Sequence, residues 1–150
     1  MIFLLLVGLL FFKLAMSEPI LGEADNLTYE KDRIIYTGNV KMTRGKGVLT
    51  ADKVVIYLDD KRKPKKAEAE GNVRYVEGTR RAFADRAEYD FQTEVLKLFG
   101  NARVEDDKNF VEADEIIYYK KEDRAIAISK NKRVRTFYVE EKSEKVRDSK

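Results

Sequence analysis

Apolar and polar residues alternate strictly along several runs of this chain. In Ile34-Ile35-Tyr36-Thr37-Gly38-Asn39-Val40-Lys41-Met42 the even positions read Ile, Tyr, Gly, Val, Met. In Ala67-Glu68-Ala69-Glu70-Gly71-Asn72-Val73-Arg74-Tyr75 the odd positions read Ala, Ala, Gly, Val, Tyr, and Leu96–Val104 repeats the arrangement. A period of two sends one set of side chains to a buried face and the other to solvent, whereas a helix would scatter the same residues around its circumference. The Val, Ile, Tyr, Phe and Thr content of these runs also favours strands. The domain is expected to be all-β.

The runs also repeat. Ala-Asp occurs at 24, 51, 84 and 113, and Gly-Asn at 38, 71 and 100, with Lys130-Asn131 in the fourth place. Each unit reads as one strand opened by Ala-Asp, a charged turn, and a second strand ending in Gly-Asn. Four such units give about eight antiparallel strands. A Gly on the apolar face followed by Asn suggests a bulge where the backbone turns a corner. The Asp after Ala is expected to bond a nearby backbone N–H at strand entry. This pattern describes a repeat-built sandwich or jelly roll.

Charge is abundant and unevenly placed. Charged residues make up 38% of the 150, yet residues 1–12 (MIFLLLVGLLFF) carry none, and Lys13 is the sole charge before Glu18. Twelve apolar residues are too few to cross a ~30 Å hydrocarbon core as a helix, which takes about 20. They suit the apolar centre of a signal peptide, with Ala15 and Ser17 at the spacing that signal peptidase prefers. Residues 1–17 are therefore expected to be a signal peptide, with an uncleaved membrane anchor as the alternative. Residues 18–139 form the β-domain, and the charged, apolar-poor stretch 140–150 is expected to be disordered. Charged segments such as Lys61–Lys66 and Lys120–Arg124 read as solvated turns.

The chain has no Cys and no His. Disulfides, Cys/His zinc sites, thiol nucleophiles and His-based triads are thereby excluded. Asp59/Asp60 and Asp106/Asp107 lie in turns beside lysines, and nothing in their spacing makes them converge as acid and base or as calcium ligands. No catalytic residue, metal or cofactor is assigned, and an enzyme is not expected. A net charge of +3 demands no nucleic acid partner, and an export leader argues against reading Lys61–Lys66 (KRKPKK) as a nucleic-acid patch.

The four Ala-Asp repeats in phase with three Gly-Asn repeats, and the stretch Gly38-Asn39-Val40…Leu49-Thr50-Ala51-Asp52-Lys53-Val54-Val55, resemble the OstA-like family, closest in its LptA-type periplasmic bridge members. The likeness spans residues 20–138. It implies an open, V-shaped β-jelly roll whose apolar groove shields the acyl chains of lipid A while lipopolysaccharide crosses the periplasm from inner to outer membrane. It also implies domains joined head to tail through terminal strands, with an inner-membrane transport complex at the N-terminal edge and an outer-membrane translocon at the C-terminal edge. The membrane-anchored LptC-type component shares the domain and is an alternative. A structural envelope protein that binds no lipid is another.

The inward set by alternation is Ile34, Tyr36, Val40, Met42, Val54, Ile56, Leu58, Val73, Tyr75, Ala87, Tyr89, Phe91, Leu96, Leu98, Ile116, Tyr118, Ile126 and Ile128. The lipid-contact candidates are Ile20, Ile34, Tyr36, Val40, Met42, Val54, Ile56, Tyr75, Ala87, Tyr89 and Phe91, with Ile20, Tyr75, Tyr89 and Phe91 matching the family pattern best. Alternation alone describes a closed sandwich core equally well. Ile20, Leu27 and Tyr29 mark the N-terminal docking edge and Val134, Thr136 and Tyr138 the C-terminal one, since open edges invite added strands. Lys41, Arg44, Arg74 and the runs Lys61–Lys66 and Lys130–Arg135 are candidates to meet lipid phosphates.

Overall fold

The computed structural model describes residues 19–139, so the expectations for the leader and the charged tail lie outside the described residues. Ten strands follow in order: β1 (Leu21–Glu23), β2 (Asn26–Tyr29), β3 (Arg33–Arg44), β4 (Gly47–Leu58), β5 (Pro64–Glu77), β6 (Arg80–Asp90), β7 (Val95–Asp106), β8 (Asn109–Tyr119), β9 (Arg124–Ile128) and β10 (Arg135–Phe137). They form one sheet in the order β1-β3-β4-β5-β6-β7-β8-β10, with β2 beside β3 and β9 beside β8. Every pairing is antiparallel. The fold is an open β-jelly roll. The count of eight becomes ten because the first and last strands are each broken, β1 from β2 and β9 from β10.

A line of bulges crosses the sheet. The ladder shifts between Thr37 and Val40, Thr50 and Lys53, Glu70 and Val73, Phe83 and Arg86, and Phe99 and Ala102. An extra residue bends a strand and sharpens its twist, so each of β3–β8 runs through a corner that divides it between two half-sheets. One half carries β2 and β9, the other β1 and β10.

The repeated dipeptides build that corner together. Gly38, Gly71 and Gly100 sit at φ +83°, +83° and +80°, followed by Asn39, Asn72 and Asn101 near +50°. Against each glycine lies the Asp of an Ala-Asp pair from the neighbouring segment. The Asn side-chain amides donate to Asp25, Asp52 and Asp85 at 2.9, 3.4 and 3.3 Å. A Cβ on Gly38 would lie 2.6 Å from the Asp25 carboxylate. In the fourth unit the Asp114 carboxylate accepts the Lys130 N–H at 2.9 Å, and its own N–H donates to Ser129 Oγ at 3.1 Å. The expected bond from Asp to backbone thus occurs only in the fourth unit; elsewhere the Asp holds a glycine and an asparagine across the ladder.

Inward parity also switches at each Ala-Asp: Ala51 to Val54, Ala84 to Ala87, Ala113 to Ile116, all facing the core side. The alternation misplaces two residues. Ile126 pairs with Ile117 and Ile128 with Glu115, so both stand on the outer face, while Ala127 opposite Ile116 packs on the core. Residues 125–128 read Ala-Ile-Ala-Ile, apolar at both parities, so periodicity cannot choose between faces.

Candidate functional site

The inner faces of both half-sheets line a single apolar cavity of about 160 Å³. Its wall includes the expected residues Ile20, Met42, Val54, Ile56, Tyr75, Ala87, Tyr89 and Phe91. Ile34, Tyr36 and Val40 do not line it: Val40 is buried in the core and Tyr36 packs against that core from its edge.

Alanines make the space. On the central strands β5 and β6 the ladder reads Ala67 opposite Tyr89, Ala69 opposite Ala87, Val73 opposite Ala84 and Tyr75 opposite Ala82. Ala67, Ala69, Ala82, Ala84 and Ala87 all face the cavity, and a methyl where neighbouring strands present Leu, Ile or Tyr leaves unfilled volume. Four of these alanines, Ala67, Ala69, Ala82 and Ala84, together with Leu49 and Val104, line the cavity without being among the lipid-contact candidates expected from sequence. Their signal was available in Ala-x-Ala at 67/69 and 82/84, but the parity switch at Ala-Asp hides Leu49 and Ala82.

Aromatic residues fix the walls. Tyr89 is fully buried and meets Phe91 edge to face, centroids 4.9 Å apart at 88°. Burial pushes the Tyr89 phenol above its usual range. Tyr75 reaches toward Gly47, where any Cβ would collide with its hydroxyl, and donates to Glu77 Oε1 at 3.3 Å. Tyr118 is pushed up to about 12 by burial and by its bond to Asp123.

Of the basic candidates only Arg44 lines the cavity. Arg74 stands on the outer face, its guanidinium 5.1 Å from the Phe83 ring, and Lys41 is exposed. Arg62 donates to the Lys31 carbonyl and the Tyr29 hydroxyl. The carboxylates in turns serve the turns: Asp59 accepts the N–H groups of Lys61 and Lys63, which hold it below its usual range.

The docking-edge candidates lie at the two margins of the sheet. Leu27, Tyr29, Val134 and Tyr138 are exposed, and Ile20 is both exposed and part of the cavity wall. Thr136 pairs with Val111, so β10 already occupies one side of β8.

The family model for the LptA/(LptD N-terminal domain) LPS transport protein matches residues 17–124. This chain belongs to that family. Among solved structures it is similar to LptH from Pseudomonas aeruginosa, the LptA-homologous periplasmic component of the lipopolysaccharide transport device, with a TM-score of 0.68 at 19% identity over 82% of this chain and 96% of that one. No curated protein sequence matches it. As a member of the LptA/LptD N-terminal family the chain is a lipopolysaccharide transport protein and not an enzyme. In those terms the apolar cavity is the site to explain.

Proposed function

We propose that the chain is a periplasmic bridge that holds the lipid A acyl chains of lipopolysaccharide in its apolar trough and passes them along a row of jelly-roll domains. The observation that carries this reading is the cavity, whose walls are apolar across Val54, Ile56, Tyr89 and Leu98 on one half-sheet and Met42, Leu49, Val73 and Val104 on the other. Burying hydrocarbon is worth about 0.8 kcal/mol per CH₂. Such contacts fix no register, so a chain can slide along them.

The volume adds a requirement. An apolar cavity of roughly 150 Å³ takes one benzene, so about 160 Å³ takes only a segment of one acyl chain. Several chains fit only if the half-sheets part at the bulge line, where the ladder is already interrupted. The exposed margins, β1 and β2 beside β3 and β9 and β10 beside β8, are the edges for a partner strand: inner-membrane complex at the first, outer-membrane translocon or a second copy at the other.

The test is photocrosslinking. A photoreactive residue at Tyr89 or Phe91 is expected to capture lipopolysaccharide, and one at outer-facing Arg74 is not. A folded protein giving no adduct at Tyr89 or Phe91 would end this reading.

A further inference from the structure

The cavity lies between half-sheets folded along the bulge line, so its two ends face the two margins of the sheet. One margin is β3 with β1 and β2, the other β8 with β9 and β10. Hydrocarbon handed from one domain to the next has to pass these ends. Along that direction the inward residues run large, small, large. Those of β5 and β6 are mostly alanine, whereas β3 presents Ile34, Tyr36 and Met42, and β8 presents Ile116 and Tyr118. The cavity accordingly takes its wall from β4 to β7, the Met42 end of β3 and Ile20, and β8 contributes nothing to it. It is a chamber blind at both margins.

The two end walls are held differently. At the C-terminal margin Ile116 and Tyr118 are 1% and 2% exposed, and the Tyr118 hydroxyl donates to Asp123 Oδ1 at 3.2 Å. They stand opposite Leu98 and Leu96, the last cavity residues of that half-sheet. At the N-terminal margin the wall is Tyr36, which is only half-buried. It belongs to the half-sheet that carries β2, yet its ring reaches the other half. A Cβ at Gly22 of β1 would lie 3.3 Å from that ring and 3.1 Å from Met42 Sδ. The ring thus rests on a residue with no side chain and beside a thioether, which adapts its shape readily. Among the described residues none hydrogen-bonds the Tyr36 hydroxyl. Ile20, two residues before Gly22, lines the chamber and is 46% exposed, so solvent reaches the chamber on this side.

We propose that Tyr36 is the end wall that yields, a specificity-determining residue that limits the length of hydrocarbon chain the chamber accepts until its ring swings off Gly22. The inference rests on the reading of the cavity as a hydrocarbon site. Swinging the ring out breaks no ion pair and extends the chamber toward the β1–β2 margin. Tyr118 stays in place, fixed by its burial and by Asp123, so the chamber lengthens from the N-terminal side.

Straight-chain alkanols from butanol to octanol, titrated into the full chain and followed by the amide NMR shifts of Ala69 and Ala87, test this. Each added CH₂ is expected to tighten binding about fourfold up to hexanol, since about six carbons fill a chamber of about 160 Å³, and to add little from hexanol to octanol. In Tyr36→Ala the climb should continue, with octanol at least fivefold tighter than hexanol and butanol unchanged. Tyr36→Leu, which keeps an apolar body, should give a smaller gain and covers the case in which the Ala variant does not fold. Tyr118→Phe, which removes the bond to Asp123 and keeps the ring, should leave the wild-type pattern in place. A wild-type series that climbs steadily to octanol overturns the end walls and leaves the hydrocarbon reading standing. No shift with any alkanol overturns both. A folded Tyr36 variant that keeps the hexanol limit, or that weakens every alkanol alike, overturns the role of Tyr36, as does a Tyr118→Phe protein that gains octanol binding.

Discussion

Glycine at the corner answers two demands at once. Gly71 needs a left-handed backbone at φ +83°, and the Asp52 carboxylate lies against its α-carbon closer than any Cβ could tolerate. Gly78, in the β5–β6 turn, has a similar φ of +62° but nothing within 4 Å of where a Cβ would stand. The two substitutions to Ala therefore separate strain from collision. Gly78→Ala should cost about 1–2 kcal/mol, the usual penalty for a left-handed non-glycine residue. Gly71→Ala should cost roughly 3 kcal/mol or more, because either the Asp52 backbone or the bulge must shift. Urea denaturation measures both, and similar costs would mean that Asp52 moves aside freely. The sequence shows that Gly-Asn and Ala-Asp recur and that Gly-Asn bends a strand. It does not show that Asp52 belongs with Gly71 and Asp85 with Gly100, because the pairing is set by strand register and the loops between them differ in length.

The elements divide into six long strands that carry the fold and short ones that close its margins. β10 makes three ladder pairs with β8. It is also held by Arg135 on Glu112 Oε1 at 2.6 Å, by Phe137 stacked on Phe110 at 5.6 Å, and by the Val139 N–H donating to Asn109 Oδ1 at 2.7 Å. Glu112 also takes Arg103 from β7, so a single carboxylate ties three strands. Exposed ion pairs contribute roughly 0–1 kcal/mol, and marginal elements open locally before the whole unfolds. Glu112→Gln is therefore expected to speed amide exchange in β10 about five- to tenfold while moving Tm by under about 2 °C. A larger fall in Tm would place β10 within the cooperative core. Strands β3 to β8 were legible because each keeps an apolar inward row through its alternating run. Ile126 and Ile128 were not, because β9 meets an apolar residue, Ile117, on its outer side as well.

At the scale of the molecule, the composition that excluded His- and Cys-based catalysis also dictates the response to pH. With no His and no Cys, no side chain has an ordinary pKa between about 5 and 9. Asp59 and Asp90 are held below their usual range by backbone N–H groups of their own turns. They therefore contribute stability that is present above about pH 4 and is lost as pH falls through their folded values. Tyr75, Tyr89 and Tyr118 are raised, chiefly by burial. Their contribution is present below about pH 10, the unfolded value, and is lost as pH climbs toward about 12, where Tyr118 ionises in the fold. Tm should therefore be level from about pH 5.5 to 9 and fall on both sides, and a mid-range step would reveal a shifted group that burial has hidden.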